Sequence, residues 1–372
     1  MTTGPRIAIV GAGMGGLAAA AALERMGFEP TVYEQARRFE RVGAGIQMSP
    51  NAVRALRGLG AEGDVREAAF RPSVWANRVW DSGETKFDLP LGDDAESRYG
   101  APYLQMHRGD LHTALLNAAP ADRIELGKRL TEAEKVADGV RLTFEDGTET
   151  TVDLLVGADG VHSRVRRVLL GSESPTPTGR VAYRATFPAN LMRQEIGPCT
   201  KWWGEDRHIV IYYVTANRDE VYFVTSLPDA DGAKESWSAK GDISVVREAF
   251  EDFHPEVREV LRACPSVNRW AIMDRPPSPQ WHGDGMVLVG DAAHPMTPYM
   301  AQGAAMAIED GVVLARALAE AGDIETGLAA FQRTRQARTA EVQNVSHANT
   351  WMREATDPSW CYGYDAWEAP LA

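Results

Sequence analysis

The sequence predicts an α/β protein in which a domain built on a parallel sheet is interleaved with a domain built on an antiparallel sheet. Three observations support this prediction. Within the first 26 residues, an apolar strand is followed by a glycine-rich turn and an alanine-rich helix. Two later apolar strands, at 154–156 and 286–289, are each followed closely by an aspartate. Between them, residues 207–215 and 220–227 alternate in the way expected of antiparallel strands.

The N-terminal segment has the pattern of a dinucleotide-binding turn. Residues 7–10 predict a buried strand and residues 17–26 predict a helix. The turn between them contains four glycines: Gly11, Gly13, Gly15 and Gly16. In such a turn Gly11 permits the tight bend, Gly13 lets a pyrophosphate approach the backbone, and Gly16 lets the helix pack on the strand. The positive N-terminal end of the helix would then face the phosphates.

A carboxylate after the second strand distinguishes this turn from a chance match. The predicted strand 31–33 ends at Glu34, which could accept hydrogen bonds from an adenosine ribose. The same glycine spacing recurs at 58–63, but there the preceding residues 51–57 predict a helix instead of a strand. We therefore interpret the second match as the end of a helix.

Length, charge and cysteine content restrict the class of protein. A chain of 372 residues predicts two interleaved domains and a large core. The net charge of −13 disfavours nucleic acid or an anionic membrane as a partner. No apolar stretch has the length of a membrane span and no signal-peptide pattern is evident, so we expect a cytoplasmic protein. Three scattered cysteines predict free thiols and no metal site.

The remaining elements follow one another in an interleaved order. The pattern predicts strands at 102–106, 123–126, 140–144, 151–156, 207–215, 220–227 and 270–273. It predicts helices at 243–253, 255–263, 303–318 and 326–345. Asp146 and Gly147 predict a hairpin turn before the strand at 151–156. From this order we assign 1–73, 98–175 and 280–345 to the nucleotide-binding domain, 74–97 and 176–279 to the substrate domain, and 346–372 to an aromatic tail.

The tail contains five aromatic residues that we expect to pack over apolar surface. They are Trp351, Trp360, Tyr362, Tyr364 and Trp367. A subunit contact and a cover over the substrate pocket are the alternatives.

Two strand ends later in the chain complete a pattern that resembles a known family. Asp159-Gly160 follows the strand at 154–156, and Gly290-Asp291 follows the strand at 286–289. Together with the glycine-rich turn and Glu34, these motifs resemble, in order and spacing, the single-component flavoprotein aromatic monooxygenases with the para-hydroxybenzoate hydroxylase fold. The resemblance implies a Rossmann-like FAD-binding domain of the GR2 type, interleaved with a substrate domain built on an antiparallel sheet. It also implies NADH or NADPH as a transient reductant and O2 as a cosubstrate.

The same resemblance implies how FAD would be held. Glu34 would contact the adenosine ribose, Arg108 the pyrophosphate and ribityl chain, and Asp291 the ribityl hydroxyls. The helix after Gly303 would favour negative charge on the reduced flavin through its N-terminal dipole. The predicted cofactor-binding residues are Gly11, Gly13, Gly15, Gly16, Glu34, Gln35, Arg108, Leu130, Asp159, Asp291, Pro298, Gly303 and Ala304.

Candidate substrate residues come from strand alternation and from the resemblance. Alternation places His208 and Tyr212 on the same face of one strand, about 13 Å apart, although both could be ordinary sheet residues. By resemblance, we predict His208, Tyr212 and Gln47 as catalytic residues and Cys199, Tyr299 and Tyr212 as substrate-binding residues. Gln47 and Tyr299 stand where a decarboxylating member of the family has histidines, which puts the identity of the substrate in question.

The implied chemistry requires an electron-rich aromatic ring, because flavin-activated oxygen is a weak electrophile. We expect His208 to deprotonate the substrate, because an unperturbed histidine titrates near neutral pH, and Tyr212 to orient its oxygen. The expected substrate is a small hydroxylated or amino aromatic carboxylate, such as 6-hydroxynicotinate or 4-hydroxybenzoate, hydroxylated at the carboxyl-bearing carbon with loss of CO2.

Three alternatives to this expectation remain. The first is a ring hydroxylase that retains the carboxylate, the second a flavin-binding protein without turnover, and the third a plain NAD dehydrogenase. Either a monomer or a homodimer is expected.

Overall fold

A six-stranded sheet carries the N-terminal glycine-rich turn in the computed structural model, which describes residues 4–41, 44–229 and 240–372. Neighbouring strands are parallel, except for the antiparallel pair at one edge. In order across the sheet, the strands are His282–Gly283, Met286–Leu288, Leu154–Gly157, Ile7–Val10, Pro30–Glu34 and Ile124–Leu126. The two central strands are entirely buried, as their continuous apolar sequences predict.

A second sheet has eight strands and is antiparallel at every pairing but one. In order, its strands are Lys240–Gly241, Val267–Asp274, Thr176–Pro188, Glu220–Pro228, His208–Tyr213, Cys199–Trp203, Val74–Val79 and Thr85–Pro90. The exception is the parallel pairing of Cys199–Trp203 with Val74–Val79. Smaller antiparallel sheets are formed by Leu130–Val136, Gly139–Phe144 and Glu149–Val152, and by Gly45–Met48 with Leu104–His107.

The helices lie mainly around the six-stranded sheet. They are Met14–Arg25, Pro50–Gly58, Glu62–Ala68, Asp93–Tyr99, Arg108–Ala118, Arg164–Leu170, Ile243–Ala249, Pro255–Ala263, Gly303–Glu320, Ile324–Ala348 and Ser359–Tyr362. Gly60, just after Pro50–Gly58, has a φ of 76°, so the second glycine match is a helix end, as predicted. Among the described residues, no helix combines the length and the apolar character needed to cross a bilayer.

The strand His208–Tyr213 separates two environments, as its alternation predicts. Ile209, Ile211 and Tyr213 pack into an apolar cluster with the helices Ile243–Ala249 and Pro255–Ala263. The side chains of His208, Val210 and Tyr212 lie on the opposite face, which lines a cavity. The eight-stranded sheet therefore has one face for its own core and one for the cavity.

The predicted strand at 151–156 is wrong in one respect, because it is two strands in different sheets. Glu149–Val152 completes the hairpin with Gly139–Phe144, and Leu154–Gly157 joins the six-stranded sheet. Asp153 lies between them and accepts hydrogen bonds from the backbone nitrogen of Arg6 at 2.7 Å and from its guanidinium group at 2.6 Å. This pairing fixes the point at which the chain changes sheets.

Other differences concern the bounds of elements and strands that had not been predicted. The proline-rich stretch 174–178, predicted to precede the sheet, already contains the start of the 13-residue strand Thr176–Pro188, which has a register irregularity between Pro177 and Val181. The predicted helix at 243–253 ends at Ala249. Several strands had not been predicted, among them Val74–Val79 and Cys199–Trp203 in the interior of the eight-stranded sheet.

The C-terminal aromatic tail packs over the core, as predicted. The ring of Tyr362 is buried, with its centroid 5.8 Å from those of Tyr99 and Tyr103. The indole nitrogen of Trp367 donates to the carbonyl of Ala55 at 3.1 Å. Arg54 donates to the carbonyl oxygen of Tyr362, so the tail is bound to the helix Pro50–Gly58 by polar as well as apolar contacts.

A buried ion network connects three segments around the helix Gly303–Glu320. Glu309 and Asp310 on this helix are fully buried, and Arg335 donates to them at 2.7 Å and 2.8 Å respectively. Asp310 also accepts from the backbone nitrogen of Gly290 at 2.9 Å and from His294 at 2.5 Å. Opposite charges and hydrogen bonds together offset the cost of removing these groups from water.

Replacing Arg335 with leucine should lower the free energy of unfolding by about 3–5 kcal/mol, because Glu309 and Asp310 would lose the buried cation that they share, and Arg338 would remain only beside Glu309. Urea denaturation of the purified protein measures this loss. The matched control is Arg333→Leu, two residues away on the same helix, where the side chain is exposed. The control should change stability by less than about 0.5 kcal/mol. Equal effects of the two substitutions would contradict the proposed importance of the network.

Candidate active site

A cavity of about 390 Å³ lies between the carboxyl edge of the six-stranded sheet and one face of the eight-stranded sheet. Three distant strand ends contribute to its wall through Gly13, Gly160 and Asp291. The eight-stranded sheet contributes His208 and Tyr212. The cavity therefore joins the predicted nucleotide motifs to the predicted substrate residues, and its volume is typical of a site for small molecules.

Of the four glycines in the glycine-rich turn, Gly13 alone has open space beside its Cα atom. A Cβ atom on Gly16 would lie 1.9 Å from the carbonyl oxygen of Gly11, and one on Gly11 would lie 2.4 Å from that of Ala158. Gly11 also has a φ of 105°, in the region that favours glycine. By contrast, no described atom lies within 4 Å of a Cβ placed on Gly13. A phosphate could therefore approach the backbone at Gly13.

Two helices begin at the cavity, and neither has a side chain that caps its N-terminus. Met14–Arg25 begins after Gly13, and Gly303–Glu320 begins after Gln302; neither has an acidic residue in its first turn. The amide of Gln302 is used elsewhere, donating to the hydroxyl of Ser49 at 2.8 Å. Both N-termini thus present free backbone donors and partial positive charge to an anionic ligand.

Glu34 lies beside the turn but not on the cavity wall. Its carboxylate accepts from the backbone nitrogens of Ala12 and Ala36, each at 2.8 Å. These bonds fix the carboxylate next to the start of the first helix. Gln35, the following residue, is exposed, and Leu130 is buried on its strand, so neither is part of the cavity wall.

Arg108 and Asp291 face the cavity from opposite segments. Neither side chain has a hydrogen-bonding partner among the described residues. Partial removal from water lowers the pKa of Arg108 and raises that of Asp291, whose side chain is nevertheless open to the cavity, and the attraction between the two charges opposes both shifts. Both groups are therefore available to a polar ligand in the cavity. Pro298, Gly303 and Ala304 complete this end of the wall.

The carboxylate of Asp159, a predicted cofactor-binding residue, is hydrogen-bonded within the protein. Its carboxylate accepts from the hydroxyl of Ser163 at 2.5 Å and from the backbone nitrogen of Arg164 at 2.6 Å. It therefore holds the start of the helix Arg164–Leu170, while its neighbour Gly160 lines the cavity.

The residues at this end fit FAD. The open space at Gly13 and the helix N-terminus behind it suit a pyrophosphate, and Arg108 adds a positive charge. The second N-terminus, at Gly303, suits the negative charge of a reduced flavin ring.

The opposite end of the cavity is a chamber rich in aromatic residues. The rings of His208 and Tyr299 are 5.5 Å apart, and the Tyr299 hydroxyl is 3.0 Å from that of Ser226. The rings of Tyr212 and Tyr222 are 5.1 Å apart. An aromatic ring could therefore be enclosed by the side chains of this wall.

The expectation of an ordinary histidine pKa at His208 is wrong. Burial lowers this pKa well below its usual value, and the positive charges of Lys201 and Arg180 lower it further. His208 is therefore a neutral imidazole at neutral pH. It can accept a hydrogen bond, but it holds a proton weakly.

Gln47 is oriented by two residues behind the chamber wall. The Tyr103 hydroxyl donates to its Oε1 at 2.8 Å, and its Nε2 donates to the Sγ of Cys199 at 3.8 Å. Cys199 is fully buried, and burial raises its pKa to about 12. The structure therefore places Gln47 on the chamber wall and Cys199 behind it as a neutral thiol.

Residues that the sequence analysis did not identify also line the chamber. They are Trp75, Arg184, Lys201, Tyr222 and Trp270. Lys201 is the most unusual of these, because burial lowers its pKa to about 7. Strand alternation could have found it, because Lys201 follows Cys199 by two residues and therefore lies on the same face.

The class of protein is established by comparison with known proteins. A family model described as FAD binding domain matches residues 5–346. The chain belongs to this family, and it is an FAD-dependent aromatic monooxygenase. This outcome confirms the resemblance noted from the motifs.

Particular relatives cover nearly the whole chain. The 6-hydroxynicotinate 3-monooxygenase of Bordetella bronchiseptica is 44% identical over an alignment of 374 positions, which covers 99% of this chain and 97% of that protein. The 3-amino-4-hydroxybenzoate 2-monooxygenase of Streptomyces cremeus is 40% identical, covering 91% of this chain and 84% of its own. The crystal structure of Klebsiella pneumoniae HpxO with FAD and uric acid has a TM-score of 0.83 and 28% identity, covering 95% and 90% of the two chains.

Two glycine substitutions should separate folding from cofactor binding. Gly16→Ala should lower stability by several kcal/mol, because its Cβ would overlap the backbone of Gly11. Gly13→Ala should leave the stability of the FAD-free protein within about 1 kcal/mol, since its Cβ enters open space. It should nevertheless weaken FAD binding at least tenfold. Urea denaturation and flavin fluorescence measure the two effects. Unchanged FAD affinity in Gly13→Ala would show that the phosphates lie elsewhere.

Lys201→Met should stabilise the protein. The pKa of Lys201 is about 7 in the folded chain and 10.5 ordinarily, so the unfolded chain binds more protons between these values. Wild-type stability should therefore rise with pH across that window. The variant should be more stable by on the order of 4 kcal/mol at pH 7, from 1.36 kcal/mol per pKa unit, and the difference should shrink towards pH 10.5. Thermal and urea unfolding at several pH values test this; a less stable variant at pH 7 would contradict it.

Proposed function

We propose that the enzyme hydroxylates a hydroxylated or amino aromatic carboxylate at its carboxyl-bearing carbon, with loss of CO2. It would consume O2 and either NADH or NADPH. The observation that carries the proposal is the aromatic chamber of His208, Tyr212 and Tyr299, which is continuous with the FAD end of the cavity. The similarity over 99% of the chain to an enzyme named 6-hydroxynicotinate 3-monooxygenase supports the substrate class.

FAD, when bound, would activate O2 for insertion into an electron-rich ring. The residues that would hold it are Gly13, Glu34, Arg108, Asp291 and Gly303. The first helix N-terminus would bind the pyrophosphate, and Glu34 would accept from the adenosine ribose. The described part of the parallel sheet has one glycine-rich turn, which FAD would occupy. No second nucleotide-binding turn is then left there for NAD(P)H, so we infer that NAD(P)H docks transiently.

The chain's own residues would position the substrate and control its charge. The rings of Tyr212, Tyr222 and Trp75 would enclose the aromatic ring and exclude water. The Tyr212 hydroxyl would orient a substrate oxygen. His208, as a neutral imidazole, would donate its one N–H to the ring oxygen. Cys199 would act through Gln47, which it positions.

The choice between pyridine and benzene acids depends on Gln47 and Tyr299. Gln47 cannot titrate, and burial raises the pKa of Tyr299 above its ordinary value. Both therefore act as neutral hydrogen-bonding groups at neutral pH. These properties favour testing benzenoid acids such as 4-hydroxybenzoate beside 6-hydroxynicotinate.

A second candidate is hydroxylation with the carboxylate retained. The 40% identity to an enzyme named 3-amino-4-hydroxybenzoate 2-monooxygenase favours it. The two reactions differ only in which ring carbon faces the flavin. We also propose a cytoplasmic location, consistent with three free buried cysteines, and either a monomer or a homodimer.

The holoenzyme should consume NADH faster with at least one para-hydroxy or para-amino aromatic acid. The test set is 6-hydroxynicotinate, 4-hydroxybenzoate and 4-aminobenzoate, each also prepared with a carbon-13 label in the carboxyl group. The amount of labelled CO2 released should equal the amount of hydroxylated product. Mass spectrometry should show that this product carries a hydroxyl group in place of the carboxyl group.

A product that gains one oxygen and keeps the label would instead establish the second candidate. Unchanged NADH consumption with every acid would contradict both reactions. An FAD-free preparation is the control, and it should show neither NADH consumption nor CO2 release.

A further inference from the structure

Lys201 is a buried amine in the wall of the aromatic chamber. Its side chain is 1% exposed, and it lines the cavity. It has no carboxylate partner among the described residues, and its Nζ lies 3.9 Å from the centroid of the Trp203 ring. A cation over an indole face is stabilised, but much less than by a buried carboxylate. The environment therefore lacks an anion for Lys201.

Among the residues that the structure describes, those around Lys201 carry positive charge and no acidic side chain. The titratable and charged groups that share this wall or act on it are Cys199, His208, Tyr212, Arg180, Arg184, Tyr222 and Tyr299. Asp291 is the one acid among the described lining residues, and it faces Arg108 at the FAD end. A bound anion would thus supply the missing partner.

We propose that Lys201 accepts the proton of the substrate's ring hydroxyl and then remains beside the ring oxygen as its ammonium counter-ion. This inference rests on the proposed function and deepens it. In the step, the O–H bond of the substrate breaks and an N–H bond forms on Nζ. The electron pair stays on the oxygen, so the ring becomes electron-rich without any oxidant or reductant.

The protonation equilibria favour Lys201 over His208 for this role. With a pKa of about 7, Lys201 is close to half neutral amine at neutral pH, which is where a general base is most effective. His208 is a poor acceptor, because burial and the charge of Lys201 lower its pKa well below the usual value. Its neutral ring can still donate its one N–H to the ring oxygen and orient it.

The leaving group explains why the ring oxygen, and not the carboxylate, would contact Lys201. An ammonium group beside the carboxylate would stabilise the anion and oppose its departure as neutral CO2. Beside the ring oxygen, the same charge stabilises the form of the substrate that reacts with an electrophile. Lys201 pairs across the strands with Val210, two residues from His208 on the same face, which is consistent with this orientation.

The test measures the ionisation of bound ligand in the oxidised holoenzyme without NADH. The probes are 4-hydroxybenzoate and 4-hydroxy-3-nitrobenzoate, whose hydroxyl and anionic forms differ in absorption. The difference spectrum at saturating ligand gives the midpoint pH at which the ring oxygen ionises. In Lys201→Met this midpoint should rise by at least one pH unit, a tenfold loss in the ionisation constant. In His208→Gln it should stay within about 0.3 units of wild type.

Two further variants are needed. One distinguishes the effect of the positive charge from that of proton transfer, and the other controls for the loss of a lysine elsewhere in the sheet. Lys201→Arg keeps the positive charge but cannot accept a proton, so the low midpoint should persist while kcat falls at least tenfold. Lys86→Met removes a lysine from an exposed position of the same sheet and should leave the midpoint unchanged. FAD content and the unfolding temperature of each variant verify that the site is intact.

The proposal is overturned if the midpoint of Lys201→Met equals that of wild type, if His208→Gln produces the rise instead, or if wild-type enzyme binds neither probe. Failure of the proposed function would look different. A Lys201-dependent midpoint without CO2 release would leave Lys201 as the proton acceptor and revise the reaction.

Discussion

The buried helix Gly303–Glu320 is the element on which the rest of the site depends. Its Gly311 packs against the backbone of the first helix so closely that a Cβ there would lie 2.5 Å from the nitrogen of Ala19. Its Asp310 accepts from the backbone of Gly290, next to Asp291, and its N-terminus opens into the cavity. One helix thus holds the glycine-rich turn and the distant Asp291 strand end in a fixed relation. Arg335 and Arg338 together offset the cost of burying the two carboxylates of this helix.

The two ends of the cavity differ in the charged groups that line them. At the FAD end, helix N-termini and Arg108 favour phosphates and a reduced ring, and Asp291 supplies an acceptor. At the substrate end, Arg184 and Lys201 are buried among aromatic rings. Burying an amine without an acidic partner lowers the free energy of unfolding, so Lys201 does not stabilise the fold. A role in binding an anionic ligand would account for its position.

Much of the FAD end could be predicted from sequence, because its signals are local. The turn from Gly11 to Gly16 and the carboxylate of Glu34 lie within one strand–helix–strand unit. Less of the substrate end could be predicted. The strand Cys199–Trp203 escaped detection because it lacks a polar alternation, being buried on both faces. Without that strand, the cross-strand position of Lys201 opposite Val210 was also missed.

The sequence alone determined part of the local geometry: the bend at the glycine-rich turn, the strands on either side of the first helix, and which face of His208–Tyr213 each side chain occupies. Backbone conformation and side-chain alternation follow from near neighbours in the chain. The tertiary structure alone decided the protonation states of His208 and Lys201, because these depend on burial and on charges from other strands. It also decided that Cys199 lies behind Gln47 and that Asp159 holds a helix, since these roles depend on which distant atoms lie within hydrogen-bonding distance.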